Sequence, residues 1–217
     1  DLIAWLAVKL FRAKAKLVTR DNTQLFKRLA SIGSVKSRLW LYLLRKVFSS
    51  SDLILTNSDS ARTDILRYCN VCAHRVRTLG NPLDLREIDL LSNENVDMPC
   101  CLPYWIGVGR LCQVKRFDIL LEAFHRIKEK VRHNLVLVGD GPSRVTLEAN
   151  ARELGLSQRV VFTGWLDNPL PLIRHSSALI LTSECEGLPN AVIEAFALGK
   201  PVIATRCSSW IAHFEER

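Results

Sequence analysis

The stretch Trp105-Ile106-Gly107-Val108-Gly109-Arg110-Leu111 is a short apolar run that ends in a glycine turn. Later runs have the same form, and longer segments of helical period separate them. Strands that are apolar along their whole length are buried on both faces, which is typical of parallel sheets. The pattern therefore predicts an α/β fold built from βαβ units. The predicted strands are 105–108, 135–138, 160–163, 178–181 and 201–204.

Segments of helical period separate these strands. From Phe117 to Val131, apolar residues recur at helical spacing and leave charged residues on the opposite side. Two more helices are predicted over 143–154 and 190–198, each followed by a glycine in the position where helices commonly end. This alternation indicates a doubly wound sheet with helices on both faces.

The first part of the chain repeats the α/β pattern less completely. Strands are predicted at 16–19, 53–56 and 76–79, with a helix at 58–68. Three strands do not make a stable doubly wound domain by themselves, so this part is expected to belong to a larger lobe. The predicted division is the C-terminal part of one lobe in 1–84, an interdomain linker in 85–103 and a second lobe in 104–217.

The composition is that of a globular protein: 217 residues, 48% apolar and 24% charged. The net charge is +8, and the first 50 residues alone carry +9, with 11 Lys or Arg against two acids. No run reaches the roughly 18 to 20 apolar residues that a membrane-spanning helix needs. Any contact with a bilayer is therefore expected to be made from its surface.

The basic region includes a stretch, 35–48, in which cations alternate with apolar and aromatic residues. Three interpretations stay open for it: it lies on an anionic membrane surface, it binds an anionic substrate, or it is a core helix with a solvated basic face. No nucleic-acid partner is predicted, because no basic aromatic sheet motif or helix-turn-helix pattern accompanies the charge.

The seven cysteines are odd in number and scattered, which is typical of free thiols in a reducing compartment such as the cytoplasm. Cys69 and Cys72, followed by His74, form the first half of a zinc pattern. No second Cys or His pair lies at a suitable distance, so no metal site is predicted.

The first candidate site motif follows the strand at 105–108. Gly109 lets the backbone approach a ligand closely, and Arg110 and Lys115 supply two cations at the start of the next helix. Two cations in this position suit an anionic diphosphate. The motif alone is weak, because a solvated turn can have the same residues.

The second motif is Glu186-Gly187-Leu188-Pro189-Asn190-Ala191-Val192-Ile193-Glu194, in which two carboxylates flank a Gly-Pro turn and a helix start. Backbone N–H groups at the beginning of a helix bind phosphate, and Pro189 is harmless there because the first turn needs no N–H donor. Two acids on either side of an anion can accept hydrogen bonds from hydroxyl groups. The string therefore predicts a nucleotide sugar as ligand.

The order of these motifs closely resembles the donor domain of the family 4 retaining glycosyltransferases of the GT-B fold. The resemblance also includes Val138-Gly139-Asp140-Gly141-Pro142, Arg159-Val160-Val161-Phe162-Thr163-Gly164 and Gly199-Lys200-Pro201-Val202-Ile203-Ala204-Thr205. It is close over 104–206 and looser over 52–84. It implies two Rossmann-like lobes with parallel sheets, both incomplete in this chain.

The resemblance also implies a reaction: transfer of a sugar from a nucleoside diphosphate to an acceptor hydroxyl, with retention of configuration. Arg110 and Lys115 would hold the diphosphate and stabilise the leaving nucleotide, in place of a divalent metal, so no cofactor is expected. Glu186 would contact the hydroxyls of the transferred sugar. These three residues, Arg110, Lys115 and Glu186, form the predicted catalytic set.

Further donor contacts follow from the same resemblance. Glu194 would bind the ribose hydroxyls, the backbone amides around Gly187 and Leu188 would meet the phosphate, and Trp165 would lie near the base. The donor would be UDP- or GDP-linked and the acceptor a saccharide or lipid-linked saccharide. The expected setting is cell-surface polysaccharide or glycolipid synthesis, in the cytoplasm or on the inner face of the membrane. The full predicted donor-binding set is Gly109, Arg110, Lys115, Glu186, Gly187, Leu188 and Glu194.

The chain departs from the family pattern in two ways. Asp21 occupies the place where the acceptor domain often has a His, and both ends of the GT-B fold are expected to be missing, so the chain alone should transfer little sugar. Two alternatives stay open: a truncated or degenerate sugar-nucleotide-binding module, and a GT-B sugar-nucleotide epimerase. The Glu186 to Glu194 string argues against the epimerase.

Overall fold

A computed structural model describes the structure of this chain over residues 2–10, 15–21, 26, 33–100, 103–208 and 210–211. The chain forms two compact units. The first consists of Asp1–Asn81, Glu186–Leu188 and Ser208–Arg217, and the second of Pro82–Cys185 and Pro189–Cys207.

The first unit contains the elements α1 (Leu2–Leu10), β1 (Val18–Asp21), α2 (Val35–Ser49), β2 (Leu53–Thr56), α3 (Asp59–Tyr68) and β3 (Val76–Thr78). Its strands form a parallel sheet in the order β1-β2-β3. Phe26 and Phe48 meet edge to face in the core, with ring centroids 5.6 Å apart, and pack with buried Ile54 and Ile65. The apolar residues of β2 and the inner sides of α2 and α3 thus build one core.

The second unit contains α4 (Leu85–Ser92), β4 (Tyr104–Val108), α5 (Phe117–Ile127), β5 (Asn134–Val138), α6 (Arg144–Glu153), β6 (Val160–Gly164), α7 (Leu170–His175), β7 (Ala178–Leu181), α8 (Asn190–Ala197) and β8 (Val202–Ala204). Its strands form a parallel sheet in the order β6-β5-β4-β7-β8. The predicted α/β class with parallel sheets is confirmed, and the five predicted strands agree with the observed ones to within one residue at each end.

The core of the second unit lies between α5, α6 and the sheet. Leu121 and Phe124 of α5 are buried against Leu137 of β5. Gly107 in β4 is required by this packing, because a Cβ atom there would lie 2.9 Å from the Phe117 ring. The helix ends at Ile127, earlier than the apolar pattern predicted. Val131 still packs on the core, but it does so from the loop that follows the helix.

The first part of the predicted linker, 85–103, is folded as helix α4. Asp84 caps this helix by accepting the backbone N–H groups of Arg86 and Glu87. Arg174 of α7 donates to Asp89 Oδ1 and to Ser92 Oγ, at 3.3 and 3.0 Å, which holds α4 in the second unit. The sequence pattern did not predict α7, because it is short and begins among prolines.

Some sequence predictions concern the ends of the first unit. Strand β1 begins at Val18, two residues later than predicted, because Leu17 instead binds the Asp52 carboxylate through its N–H. Asp21 is buried at the end of β1. Arg12, Lys14, Lys27 and Arg28 of the basic first 50 residues, and residues 209 and 212–217 of the predicted second lobe, lie outside the described residues.

Candidate functional site

The strand order of the second unit places its switch point at β4. One neighbour of β4 is β5, the next strand in sequence, and the other is β7. Ligands of open α/β sheets bind outside the carboxyl ends of the strands where the order reverses. The loops that follow β4 and β7 are therefore the expected ligand-binding loops, and they are the two loops that carry the predicted motifs.

Backbone hydrogen bonds join the loops at this edge of the sheet. The N–H of Gly109 donates to Val138 O at 2.9 Å, and the N–H of Gly139 donates to Gly164 O at 2.8 Å. The loops approach so closely that a Cβ atom at Gly139 would clash with the carbonyl oxygen of Gly109. The turn at Gly109 thus rests on a rigid support, which lowers the entropy cost of ordering it around a ligand.

The side chain of Lys115, one of the two cations predicted for a diphosphate site, lies beside Gly109. A Cβ atom at residue 109 would lie 3.2 Å from Lys115 Cε and 3.3 Å from Lys115 Nζ. The backbone of this turn is held from the loop after β7: Thr182 Oγ1 donates to Lys115 O at 3.1 Å, and Glu184 N donates to Val114 O at 2.8 Å. The loop after β7 therefore holds the backbone of Lys115, whose ammonium group lies beside Gly109.

Arg110 lies next to this pair in the chain and is exposed. In the part of the chain that the structure describes, no hydrogen bond or ion pair engages its guanidinium group. An arginine with this freedom can bind a phosphate through two parallel N–H donors. The structure thus places Gly109, Arg110 and Lys115 together at the carboxyl end of β4.

Glu194 lies in the first turns of α8, which begins after Pro189 as predicted. Its side chain is half-buried, and burial raises the pKa of the carboxyl above its ordinary value. Among the described residues no hydrogen-bond donor reaches this carboxylate. A half-buried carboxylate without a donor carries a desolvation cost, which hydroxyl groups of a ligand can offset.

Glu186, Gly187 and Leu188 belong to the first compact unit, whereas Gly109, Arg110, Lys115 and Glu194 belong to the second. Gly187 and Leu188 are buried and Glu186 is half-buried. The structure therefore brings together the cationic part of the predicted site. The assignment of the two carboxylates to the same ligand stays a prediction.

An ion-pair network at the start of α6 was missed by the sequence analysis. Arg144 binds Asp140 and Glu148 at 3.0 and 2.9 Å. The Gly141 N–H and Arg144 hold the pKa of Asp140 below its ordinary value. The spacing of four residues between these charges could have predicted the network. The network stabilises the loop that contacts Gly109, and it keeps the Arg144 guanidinium group paired with Asp140 and Glu148.

Thr182 is a second residue that sequence reasoning missed, because a threonine after a strand carries no distinctive signal.

Trp165, predicted near the base, is 73% exposed and its indole Nε1 donates to Asp167 Oδ1 at 3.1 Å. Within the described ranges no group of three or more His, Cys, Asp or Glu side chains could hold a metal ion. No helix of the described parts is long and apolar enough to span a membrane.

Comparison with known proteins identifies the family and the fold of the chain. The family model described as "Glycosyl transferases group 1" matches residues 103–216. The lipopolysaccharide core biosynthesis glycosyltransferase LpsE of Rhizobium meliloti is 33% identical over 152 residues, which cover 64% of this chain and 44% of that protein. Among solved structures, HepE of Anabaena in complex with UDP-glucose has a TM-score of 0.77 at 20% identity, covering 98% of this chain and 60% of that one.

A further relative acts on a lipid-linked saccharide by its name. It is the N-acetylgalactosamine-N,N'-diacetylbacillosaminyl-diphospho-undecaprenol 4-alpha-N-acetylgalactosaminyltransferase of Campylobacter jejuni, 27% identical over 164 residues, 76% of this chain and 44% of that protein. The fold is therefore that of the GT-B glycosyltransferases. The chain belongs to the family of glycosyl transferases group 1. It spans 44% of the length of these two curated relatives.

Proposed function

We propose that this protein is a glycosyltransferase that moves a sugar from a nucleoside diphosphate to an acceptor hydroxyl, in the synthesis of a cell-surface polysaccharide or glycolipid. The observation that carries the proposal is the position of Lys115 across Gly109, beside Arg110, at the switch point of the sheet. Two cations on a rigid glycine turn suit a diphosphate and its developing negative charge.

We propose a UDP-linked donor and a saccharide or lipid-linked acceptor, used on the cytoplasmic side of the membrane. The UDP-glucose in the HepE structure supports the choice of UDP over GDP, and the diphospho-undecaprenol in the name of the Campylobacter relative supports the acceptor class. The LpsE relative supports a role in surface-polysaccharide synthesis.

In the proposed reaction the bond between the anomeric carbon and the diphosphate oxygen breaks, and a bond to the acceptor oxygen forms on the same face. The acceptor proton passes to the leaving phosphate. Arg110 and Lys115 stabilise the charge that develops on the diphosphate, so the proposed mechanism uses no metal. Glu186 binds the transferred sugar, and the backbone N–H groups of Gly187 and Leu188 bind the phosphate.

Glu194 completes the proposed donor site by accepting hydrogen bonds from the ribose hydroxyls. Its carboxylate is suited to this because it is half-buried in the described structure without a donor. Hydrogen bonds to a charged group contribute about 1.5 to 3 kcal/mol each, enough to change affinity by about tenfold or more.

A binding titration of the chain with UDP, GDP, ADP and their sugar conjugates tests the proposal. We expect UDP ligands to bind, and Arg110→Ala and Glu194→Ala each to weaken binding by about tenfold or more. Arg126→Ala is the matched control, because Arg126 is an exposed cation of α5 that pairs with Glu122. Binding that survives both site substitutions would overturn the assignment. Binding without sugar transfer, in the full-length protein, would identify a nucleotide-sugar-binding module.

A further inference from the structure

The loop after β7, whose contacts hold the backbone of Lys115, is itself held from the end of β8. Strand β8 pairs in parallel with β7, with Ala204 opposite Leu181, which brings Thr205 beside the start of this loop. The Thr205 N–H donates to Leu181 O at 2.9 Å, and Thr205 Oγ1 donates to Ser183 O at 2.6 Å. The same hydroxyl lies 3.5 Å from Leu181 O, a weaker contact. Thr205 thus holds two carbonyl groups of the chain that leaves β7.

Ser183 is the middle residue of the segment that holds the Lys115 turn. On one side of it Thr182 Oγ1 donates to Lys115 O at 3.1 Å, and on the other side the Glu184 N–H donates to Val114 O at 2.8 Å. Ser183 itself is 2% exposed. Hydrogen bonds through this segment therefore connect the end of β8 to the backbone of Lys115.

The Thr205 hydroxyl acts on the position of the loop and not on the packing of the core, because Thr205 is exposed. Strand β8 is only three residues long, Val202–Ala204. The hydroxyl continues the connection between β8 and the chain after β7 beyond the last residue of the strand. A loop that is fixed before a ligand arrives loses less conformational entropy when the ligand binds.

We propose that Thr205 is a positioning residue of the donor site. Its hydroxyl fixes Ser183, so that the loop after β7 holds the Lys115 turn in the form that receives the diphosphate. Thr205 acts through the loop and not by contact with the donor. The inference rests on the proposed function, in which Lys115 binds the diphosphate. It gives a role to the last residue of the string 199–205, to which the sequence assigned none.

Titration of the 217-residue chain with UDP and with uridine tests the proposal. Thr205→Val keeps the shape of the side chain and removes the hydroxyl. We expect this variant to bind UDP about fivefold more weakly, the usual effect of losing one hydrogen bond. It should bind uridine as before, because uridine has no diphosphate for Lys115 to hold. Thr205→Ser should restore the affinity for UDP.

A double substitution tests the route through the loop. Thr182→Val breaks the next hydrogen bond along this route, so Thr205→Val should have little further effect in that background. Independent losses would instead multiply to about twenty-five-fold. Hydrogen exchange gives a readout without nucleotide: the amide of Glu184, which donates to Val114 O, should exchange faster in Thr205→Val.

The matched control is Thr63→Val, because the exposed Thr63 donates from Oγ1 to Asp59 O at 2.9 Å in the other compact unit. It should change neither readout, and circular dichroism shows that each variant is folded. Unchanged UDP affinity or amide exchange in Thr205→Val would overturn the proposal and leave the proposed function standing. Equal losses for UDP and uridine, losses that multiply in the double variant, or no recovery with Thr205→Ser would do the same. An unchanged chain that binds none of UDP, GDP and ADP would overturn the proposed function, and this proposal with it.

Discussion

Lys115 lies across the open side of Gly109, where a side chain at residue 109 would touch both Cε and Nζ of the lysine. Gly109→Ala should therefore displace the ammonium group and weaken nucleotide binding by about tenfold, close to the loss of one hydrogen bond to a charged group. Gly109 also has a φ of 152°, so the substitution should destabilise the chain by about 1 kcal/mol. Isothermal titration with UDP and urea unfolding measure the two effects.

The control for this substitution is Gly199→Ala. Gly199 has a positive φ of 66° in the same unit, and a Cβ atom there would meet nothing within 4 Å. It should lower stability in a similar way but leave nucleotide affinity unchanged. Equal losses of affinity in the two variants would show that backbone strain, and not the position of Lys115, controls binding.

The carboxylate of Glu194 should lower the stability of the chain at neutral pH and raise its affinity for the nucleotide. Burial raises the pKa of its carboxyl, so the free energy of unfolding should fall as the pH rises through that pKa and be highest below the unfolded value. Glu194→Gln should remove this pH dependence and stabilise the chain at neutral pH, while weakening nucleotide binding by about tenfold or more. Urea unfolding across the pH range and UDP titration test both. The control, Glu122→Gln on the exposed side of α5, should change neither.

Arg116 adopts a left-handed backbone conformation, with φ 49° and ψ 41°, directly before α5. Its guanidinium also binds Asp118 at 2.9 Å, an exposed ion pair that lowers the pKa of Asp118. Arg116→Ala and Arg116→Gly both remove that pair, so their difference reports the backbone alone. We expect the Gly variant to be more stable than the Ala variant by about 1 kcal/mol in urea unfolding. Equal stabilities would contradict a strained turn.

Thr182 should act on the donor site through the backbone of Lys115. Thr182→Val keeps the shape of the side chain but removes the hydrogen bond to Lys115 O, which costs about 1 kcal/mol. The expected result is weaker UDP binding, by about fivefold, that Thr182→Ser restores. Thr63→Val is the control, because the exposed Thr63 also donates from Oγ1 to a backbone carbonyl, that of Asp59, within helix α3. A failure of Thr182→Ser to restore affinity would point to packing instead.

The sequence predicted the second unit well because its signals are local. Runs such as 135–138 and 178–181 are apolar along their length, and a strand covered on both faces needs that composition whatever its neighbours are. The helix α4 was predicted as linker because its polar residues resemble those of a loop, and the contacts of Arg174 that hold it come from a distant part of the chain.

In the candidate site, too, some features were predicted from local sequence and others were set by contacts between distant parts of the chain. The order of glycines, cations and carboxylates along the chain predicted the family and the fold class, and it predicted Arg110, Lys115 and Glu194 as site residues. Only the tertiary structure decided that Lys115 lies beside Gly109, that Thr182 donates to the carbonyl of Lys115, and that Val35, Leu39 and Tyr42 of α2 are exposed. These features depend on which strands are neighbours in the sheet and on which side of a helix meets the core, and long-range packing sets both.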